Sequence, residues 1–407
     1  MVGNATKWDL VPGGVTAPKG FQAAGVAAQI RKKGRRDLAV IYSQVPAVAA
    51  ALYTQNRVKA APVLVTREHL AGRTAQAIVV NSGIANACTG EQGLADARQM
   101  ALWTGEMLGI APEHVVVAST GVMGVPLPMQ KIEAGIRRAV KELSVAGGGA
   151  AAEAIMTTDT TPKEYAVKFT CGGKEITVGG IAKGSGMIHP NLATMLAFIA
   201  TDAAVSPDAL YDALRWAGDR SFNAVTVDGD TSTNDMVVCL ANGLAGNEPI
   251  TGHGSDFLLF RDALFAVCRE LAKMIARDGE GASKFLEVRV KGAACEEDGR
   301  TIARAVAGSS LVKAALFGED ANWGRILSAA GNAGVSFEPD KVDIYLGDLQ
   351  VAARGTGLSF DEDRARSILE GREVIITLDL KQGDAEAVAW GCDLSFDYVR
   401  INAQYRT

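Results

Sequence analysis

Thr194 is the residue whose position in the sequence most clearly suggests chemistry. It follows Ala193 and leads directly into the apolar run at residues 195–200, after a flexible, glycine-containing stretch, Lys183-Gly-Ser-Gly186, and Pro190. A threonine hydroxyl is a weak nucleophile that needs an adjacent base, and its own terminal amine is one known solution. The pKa of an α-amino group is about 7.7–8.0, which suits a general base near neutral pH. The alternative is structural: a loop enters a buried strand, and the Thr194 hydroxyl is hydrogen-bonded where that strand begins.

For the amine of Thr194 to act as a base, the peptide bond after Ala193 must first be cut. Attack of the Thr194 hydroxyl on the Ala193 carbonyl, followed by hydrolysis of the resulting ester, would free the amine. The small Ala193 side chain leaves this carbonyl open, and the strand beyond Thr194 would hold the hydroxyl still. The sequence offers no obvious Ser-His-Asp or Cys-His pair elsewhere, which makes a self-supplied base more attractive.

The other candidate sites in the sequence are weak. The six cysteines contain no C-x-x-C pair and the four histidines are far apart, so no zinc site is predicted. Lys183-Gly-Ser-Gly186 lacks the third glycine of a dinucleotide fingerprint, and residues 279–284 lack the order of a phosphate loop. Residues 228–234 alternate oxygen side chains as a calcium loop does, but Thr233 and Cys239 stand where glycine and glutamate are required. We expect a tight polar turn there, and no metal or cofactor in the chain.

Strands and helices must position Thr194, and their patterns alternate along the chain. Apolar runs predict a hairpin of residues 24–30 and 37–43 around a solvated basic turn at 31–36, and strands at 77–80, 115–118, 286–290, 342–346 and 374–380. Helical spacing predicts helices from Pro128, from Ser206-Pro207, and over 256–275, 311–317 and 362–369. The run Gly147-Gly-Gly149 is typical of a flexible surface loop. The predicted fold class is α/β, a layered sandwich, with a main domain at 1–285 and a smaller α/β domain at 286–407.

Composition narrows the class of protein. The chain has 407 residues, of which 48% are hydrophobic and 21% charged, ordinary values for a folded globular protein that exclude a disordered chain. Its formal charge of −5 argues against a nucleic-acid-binding protein, whose surface is usually basic. No apolar run approaches the roughly 18 residues of a membrane span, and residues 1–10 contain no secretory signal. We expect a cytoplasmic protein with reduced, mostly buried thiols, and neither a membrane nor a nucleic-acid partner.

Six long motifs, found in one order, give the chain a family resemblance. They are Val80-Asn-Ser-Gly-Ile-Ala-Asn-Ala87, Ser119-Thr-Gly-Val-Met-Gly124, Met156-Thr-Thr-Asp159, Lys183-Gly-Ser-Gly-Met-Ile-His-Pro-Asn-Leu-Ala-Thr-Met-Leu196, Val227-Asp-Gly-Asp-Thr-Ser-Thr-Asn-Asp235 and Asp278-Gly-Glu-Gly-Ala-Ser-Lys284. Over essentially its whole length, the chain resembles the ornithine acetyltransferases (glutamate N-acetyltransferases, the ArgJ type) of arginine biosynthesis. The resemblance implies a self-cleaving threonine-nucleophile fold, cut between residues 193 and 194 into fragments 1–193 and 194–407.

The resemblance also implies a role for each matching residue. Thr194 would be the nucleophile and the first residue of the second fragment. Thr120, through its hydroxyl, and Gly121, through its backbone N–H, would form the oxyanion hole. Lys183 suits a carboxylate and Glu280 an amino group, although without the family Lys183 would be a solvated loop lysine. The residues at substrate-binding positions are Thr157, Lys183, Thr194, Glu280, Asn402 and Thr407.

The implied activity is transfer of an acetyl group from N2-acetylornithine to glutamate through an acetyl-threonine intermediate, by double displacement. Some members of the family also accept acetyl-CoA as a donor, and no motif in this chain decides whether it does. The resemblance further implies two copies of each fragment in the assembled enzyme. Two alternatives stay open. One is a related self-processing amidohydrolase or aminopeptidase, in which water replaces glutamate, and the other is a non-catalytic amino-acid-binding protein with an intact chain.

Overall fold

Strands and helices alternate through the residues that the computed structural model describes, which are 8–31, 34–189 and 195–404. They belong to two units. The first comprises Met1–Gly184, Asn191–Phe222 and Thr231–Leu271, and the second comprises Ser185–Pro190, Asn223–Asp230 and Ala272–Thr407. Each unit has its own sheet and its own buried core, so the predicted α/β class with a larger first part and a smaller second part is confirmed. The domain boundary predicted after residue 285 lies within Ala272–Thr407, the last stretch of the second unit.

The first unit is built on a nine-stranded sheet. Its strands are β1 (Asp9–Leu10), β2 (Phe21–Val26), β3 (Leu38–Tyr53), β4 (Thr74–Ile84), β5 (Val115–Val122), β6 (Lys163–Cys171), β7 (Lys174–Lys183), β8 (Leu196–Thr201) and β9 (Met236–Ala241). Their order is β1-β6-β7-β8-β9-β3-β4-β5, and β2 pairs with β3 outside this path. β8 lies between antiparallel β7 and parallel β9, and all of its residues are buried. The predicted hairpin is confirmed as β2 and β3, although its first strand ends at Val26 and not at residue 30, and the strands expected at 77–80 and 115–118 are confirmed.

Alternate residues of this sheet face two separate cores, as the two-residue period of a strand requires. Ala39 and Ile41 of β3 lie in one core, whereas Leu38 and Val40 lie in the other. Helices of this unit are α1 (Ala61–His69), α2 (Gly90–Leu108), α3 (Met129–Lys141), α4 (Gly148–Ala154), α5 (Pro207–Asp219) and α6 (Gly254–Arg277), the last of which continues into the second unit. Residues of α2 and α3 join the core of Leu38, and residues of α4 join the core of Ala39. The arrangement is therefore layered on both faces of the sheet.

The three long helices predicted in this part of the chain are confirmed as α3, α5 and α6. The start of α5 has the N-terminal cap that the sequence predicts. The Ser206 Oγ accepts a hydrogen bond from the Ala209 N–H at 3.4 Å, and Pro207 occupies the first helical position. Both features depend only on neighbouring residues, because a cap satisfies N–H groups of the first turn.

The prediction of a flexible surface loop at residues 147–149 is wrong, because this glycine run forms the start of α4. A Cβ built on Gly147 would lie 1.8 Å from the carbonyl oxygen of Ala23, a residue of β2. Backbone hydrogen bonds between Ala23 and Ser144, at 3.0 and 3.1 Å, hold the two segments together. Glycine is therefore required here by a close backbone approach, and the partner lies too far along the chain for the local sequence to reveal it.

The second unit contains a six-stranded sheet. Its strands are β10 (Phe285–Ala293), β11 (Asp343–Leu346), β12 (Leu349–Ala353), β13 (Thr356–Gly357), β14 (Glu373–Asp379) and β15 (Ala385–Cys392), in the order β13-β12-β11-β14-β10-β15. Its helices are α7 (Glu296–Gly308), α8 (Ser310–Phe317), α9 (Trp323–Gly331), α10 (Glu362–Leu369) and α11 (Phe396–Ala403). The predicted elements are confirmed in β10, β11, β14, α8 and α10. Sequence analysis missed α7 and α9, whose buried faces carry several small residues and few large apolar ones.

In the part of the chain that the structure describes, no helix combines the length and the apolar character needed to cross a membrane. The six cysteines are free thiols, of which Cys171, Cys239, Cys268 and Cys392 are buried and Cys88 and Cys295 exposed. Burial raises the pKa of Cys239 to about 12, so this thiol stays protonated and unreactive. The expectation of mostly buried thiols is confirmed.

Gly147→Ala is expected to destabilise the first unit, because the new Cβ would overlap the Ala23 carbonyl oxygen. Overpacking of this kind typically lowers the free energy of unfolding by about 1–3 kcal/mol, and thermal unfolding should show a lower Tm. Gly149→Ala is the matched control, because its Cβ would meet nothing closer than the Glu164 Oε2 at 3.9 Å. Alanine at that helical position should be neutral or stabilising by up to about 1 kcal/mol. Equal Tm values for the two variants would contradict the close approach.

Candidate active site

The predicted oxyanion pair, Thr120 and Gly121, lies near the end of β5. This strand runs parallel to β4, with Gly121 opposite Gly83. Gly121 has a φ of +132°, and a Cβ there would lie 2.2 Å from the carbonyl carbon of Gly83. Backbone conformation and packing therefore both require glycine at this position. Because Thr120 is also buried, the Thr120 hydroxyl and the Gly121 N–H are carried by a rigid segment of the sheet.

Lys183, the last residue of β7, lies beside Thr120 and Thr157. Its Nζ donates to the Thr157 Oγ1 at 2.9 Å and to the Thr120 Oγ1 at 3.4 Å, and only 2% of the residue is exposed. It is therefore not the solvated loop lysine that the sequence alone would suggest. A buried ammonium next to two hydroxyls attracts an anion, such as a carboxylate or the oxyanion of a tetrahedral intermediate. The structure thus brings together three of the predicted site residues.

A buried carboxylate, Asp159, fixes the segments that carry Lys183 and Thr157. Its Oδ1 accepts from the Lys163 Nζ and from the Gly184 N–H, both at 2.7 Å, and its Oδ2 accepts from the Thr157 N–H at 2.9 Å. Burial alone would raise the pKa of Asp159, but the charges of Lys183 and Lys163 outweigh burial and lower the pKa to about 2. The carboxylate is therefore ionised near neutral pH, in a pair with Lys163 whose side chains are almost fully buried.

Arg31 provides a second anchor for the segment that contains Thr157. Its guanidinium donates to the carbonyl oxygens of Met156, at 2.7 Å, and Thr157, at 2.8 Å. Arg36 likewise donates to the carbonyl oxygen of Gly25 at 3.0 Å. The sequence predicts a solvated basic turn at 31–36, but two of its arginines bind backbone carbonyls. Lys32 and Lys33 lie outside the described residues.

The predicted nucleophile and cleavage site, Thr194 and Ala193, lie outside the residues that the structure describes. The chain is described again from Met195, whose N–H donates to the Asp235 Oδ1 at 3.0 Å. The Met195 carbonyl accepts from the Met236 N–H at 3.2 Å, and the residue is buried. The buried strand expected directly after Thr194 is confirmed as β8, and the residue before β8 is hydrogen-bonded on both sides.

The sequence predicts a flexible stretch before Pro190, but this prediction is wrong for residues 185–189, which are anchored within the second unit. The Ser185 Oγ donates to the Asp278 carbonyl at 2.6 Å. The N–H groups of Met187 and Ile188 donate to the Asp228 carboxylate at 2.6 and 2.9 Å. Asp228 therefore fixes the backbone of this stretch, which agrees with a polar turn at 228–234. Among the described residues, no group of three or more His, Cys, Asp or Glu side chains could hold a metal ion.

Within the second unit, the structure brings Glu280 and Asn402 together. The Asn402 Nδ2 donates to the Glu280 Oε2 at 2.8 Å and to the carbonyl of Tyr398, one turn earlier in α11, at 3.0 Å. Glu280 is 7% exposed, and its N–H donates to the Ser185 carbonyl at 3.0 Å. A carboxylate has several lone-pair positions, so Glu280 can still accept hydrogen bonds from an ammonium group. Thr407 lies outside the described part of the chain.

Sequence analysis missed the residues that support this site, namely Asp159, Lys163, Asn234 and Asp235. Three of them belong to motifs that carried the family resemblance, but no role was assigned to them. Asp235 offered a signal, since an acidic residue directly before the apolar run of β9 is expected to be buried with it. Lys163 offered none, because nothing in its neighbours indicates that a lysine beginning β6 is 1% exposed.

An α/β protein that holds a hydroxyl beside a buried ammonium, at the end of a sheet strand, carries groups that suit acyl-transfer chemistry. The profile of the ArgJ family matches residues 22–407, and the chain belongs to that family. It is 59% identical over 401 residues to the arginine biosynthesis bifunctional protein ArgJ of Symbiobacterium thermophilum, covering 98% of this chain and 100% of the relative. The family resemblance found in the sequence is thereby confirmed.

The chain is also similar to a second curated relative and to a solved structure. The chain is 53% identical over 399 residues to the arginine biosynthesis bifunctional protein ArgJ of Geobacillus kaustophilus, covering 98% of this chain and 97% of the relative. It is also similar to the crystal structure of an ornithine acetyltransferase from Mycobacterium tuberculosis, complexed with ornithine. That similarity has 43% identity and a TM-score of 0.42, over 45% of this chain and 98% of the solved chain.

Asp159→Asn should remove stability that depends on an ionised carboxylate. The pKa of Asp159 in the folded protein, about 2, lies below its ordinary value of 3.8. This contribution is therefore present above about pH 4 and is lost as the pH falls towards 2. At pH 7 the variant removes the carboxylate that pairs with the buried Lys163 ammonium, a loss that typically costs about 3–5 kcal/mol. Urea unfolding from pH 7 to 2.5 should show a difference from wild type that shrinks below pH 4.

The control for this experiment is Asp208→Asn. Asp208 pairs with Arg73 on the surface, where 85% of the Asp208 side chain is exposed, so its loss should change stability little. A difference between wild type and Asp159→Asn that stays constant with pH would contradict the ionised, buried state of Asp159.

Proposed function

We propose that this member of the ArgJ family is a glutamate N-acetyltransferase of arginine biosynthesis. It moves the acetyl group of N2-acetylornithine to glutamate through an acetyl ester on Thr194. The observation that carries the proposal is the buried Lys183 ammonium beside the oxyanion pair of Thr120 and Gly121. The curated relatives, which are named arginine biosynthesis bifunctional proteins and match nearly the full length of the chain, support the same activity.

In the first half of the proposed reaction, the α-amine of Thr194 takes the hydroxyl proton as the oxygen attacks the acetyl carbonyl. The negative charge that develops on the carbonyl oxygen accepts hydrogen bonds from the Thr120 hydroxyl and the Gly121 N–H. Collapse of the tetrahedral intermediate breaks the amide bond. The proton held by the Thr194 amine passes to the departing nitrogen, so ornithine leaves as an amine and an acetyl ester remains.

In the second half, the amino group of glutamate attacks this ester, and the same donors stabilise the second oxyanion. The bond to the Thr194 oxygen breaks, the hydroxyl recovers its proton through the α-amine, and N-acetylglutamate is released. Because one acyl-enzyme serves both halves, double-displacement kinetics are expected. Water in place of glutamate would release acetate instead.

Two pairs of side chains, one within each unit, suit the groups of an amino-acid ligand. We assign Lys183 and the Thr157 hydroxyl to a substrate carboxylate, because a buried cation next to a hydroxyl matches that group. In the second unit we assign Glu280 to a substrate amino group, with Asn402 orienting the carboxylate through its 2.8 Å hydrogen bond. Thr407 is assigned to substrate binding by the family resemblance.

The active form that we propose is the cut one, made of fragments 1–193 and 194–407. The α-amine that serves as base exists only after this cut, so cleavage and activity depend on the same residue. Two copies of each fragment and a cytoplasmic location remain predictions from the sequence.

Thr194→Ala is expected to abolish both cleavage and acetyl transfer, since it removes the nucleophile of both reactions. Wild-type protein should give two bands on denaturing electrophoresis, and N-terminal sequencing should find Thr-Met-Leu-Ala at the start of the second fragment. Thr170→Ala, which changes an exposed threonine of β6, is the matched control and should be cut and active. A cut or active Thr194→Ala protein would contradict the assignment.

The same preparations decide between transferase and hydrolase. N2-acetylornithine is supplied with and without glutamate, and ornithine, acetate and N-acetylglutamate are measured. Sustained ornithine release only in the presence of glutamate supports the transferase, whereas equal release of ornithine and acetate without glutamate would overturn it. A third reaction, with acetyl-CoA and glutamate, tests for a second acetyl donor.

Thr120→Val should lower kcat by about 100- to 1000-fold, the usual effect of losing one oxyanion donor, with a smaller change in KM. Valine keeps the shape of threonine, so the buried strand should be retained. Thr104→Val is the matched control, because Thr104 is also buried but its hydroxyl donates only to the Met100 carbonyl within α2. Steady-state kinetics of the two variants check the prediction, and equal kcat values would contradict the role of Thr120.

A further inference from the structure

Asn234 and Asp235, the two residues before β9, reach two strand ends that the proposed chemistry uses. Both are almost fully buried, with 5% and 1% of each residue exposed. The Asn234 side chain contacts the backbone just before Thr120 of β5. The Asp235 side chain contacts Met195, the residue just before β8.

The Asn234 side chain binds the backbone that leads to the oxyanion pair. Its Nδ2 donates to the carbonyl oxygens of Ser119 and Ala85, both at 2.7 Å, and its Oδ1 accepts from the Thr233 hydroxyl at 2.6 Å. The Ser119 carbonyl and the Thr120 N–H belong to one planar peptide group. Whatever fixes this carbonyl therefore fixes the direction in which the chain enters Thr120.

The Asp235 side chain binds the backbone that follows Thr194 in the sequence. Its Oδ1 accepts from the Met195 N–H at 3.0 Å, and its Oδ2 has no hydrogen-bond partner among the described residues. Burial raises the pKa of Asp235 well above its ordinary value, against the smaller opposite effects of the Met195 N–H and the Lys183 charge. The bond to Asp235 therefore fixes the backbone N–H of Met195, the residue that follows Thr194 in the sequence.

We infer that Asn234 and Asp235 are positioning residues, which together tie the backbone just before Thr120 to Met195, the residue just before β8. Adjacent Cα atoms are 3.8 Å apart, so one rigid dipeptide ties the Ser119 carbonyl to the Met195 N–H. A misplacement of about 1 Å in a reacting geometry can cost about 100-fold in rate. The inference rests on the proposed function, because it takes Thr194 as the nucleophile and Thr120 as an oxyanion donor.

The first test compares Asp235→Ala with Asp235→Asn in the full chain. Asparagine keeps an oxygen that can accept from the Met195 N–H, whereas alanine does not. We expect Asp235→Ala to slow both cleavage and acetyl transfer, with kcat lowered about 10- to 100-fold and KM little changed. Asp235→Asn should restore kcat to near the wild-type value.

The control for Asp235 lies just beyond the other end of β8. Asp202 is also a buried aspartate that accepts backbone N–H groups, from Thr177 at 2.8 Å and from Lys19 at 3.0 Å. Asp202→Ala should lower Tm by a similar amount but leave kcat and cleavage close to wild type. A purely structural role for Asp235 would make the two alanine variants alike in activity as well as in Tm.

Asn234→Ala gives a second, independent test. Its control is Asn247→Ala, because Asn247 is another buried asparagine whose Nδ2 donates to two carbonyls, those of Ala204 at 3.1 Å and Glu248 at 2.7 Å. We expect a kcat lowered about 10- to 100-fold only for Asn234→Ala, because only that variant frees the Ser119 carbonyl. This comparison also decides the matter if Asp235→Ala fails to fold.

The outcomes separate this inference from the proposed function. A wild-type chain that does not transfer acetyl groups overturns the proposed function itself. A wild-type chain that transfers them, with Asp235→Ala and Asn234→Ala as fast as their controls, overturns the positioning role alone. An Asp235→Asn variant as slow as Asp235→Ala also overturns it, because the carboxyl group would then be needed for more than its bond to Met195.

Discussion

The candidate site of the first unit depends on a buried ion pair between the carboxylate of Asp159 and the ammonium of Lys163. The same carboxylate accepts the N–H groups of Thr157 and Gly184, so it joins the turn before β6 to the end of β7. Removing either charge of such a pair takes an ionic partner from a buried group, which typically costs about 3–5 kcal/mol. Thr157 and Lys183 are therefore held in place before any ligand enters. Groups fixed in advance need no reorganisation when charge develops in a reaction, which is where their effect on rate comes from.

Much of the fold could be predicted because many elements are determined by neighbouring residues. The apolar stripe of α3, the Ser206-Pro207 start of α5 and the apolar runs within β4 and β5 are local patterns, and each is confirmed. The site residues were found differently. No periodicity distinguishes Lys183 from a solvated lysine, and Thr120-Gly121 alone is a common turn. Their identification depended on whole motifs in a fixed order, and the structure then showed Lys183 and Thr120 in contact.

The features that could not be predicted depend on partners far away in the chain. Gly147 packs closely against the backbone of β2, and residues 185–189 are fixed by Asp228 and Asp278, yet both segments contain glycine, which is typical of flexible loops. Arg31 is similar, since its acceptors are carbonyls near residue 157. Short-range patterns report the intrinsic freedom of a segment, whereas its order in the folded protein is decided by the hydrogen-bond acceptors and packing surfaces that the topology brings to it.

The pairing of β8 has a consequence for a chain cut after residue 193. The first fragment supplies β3 and β7 to the large sheet, and the second supplies β8 and β9, which pair directly with them. The first fragment also supplies Ser185–Pro190 to the second unit, whose other residues all come from the second fragment. Separating the fragments would break the β7–β8 and β3–β9 ladders on the two sides of the β8–β9 pair and expose unpaired edges. In a chain cut there, the partnership of the two polypeptides would therefore be set when the uncut chain folds, and molecules mixed afterwards would not exchange fragments.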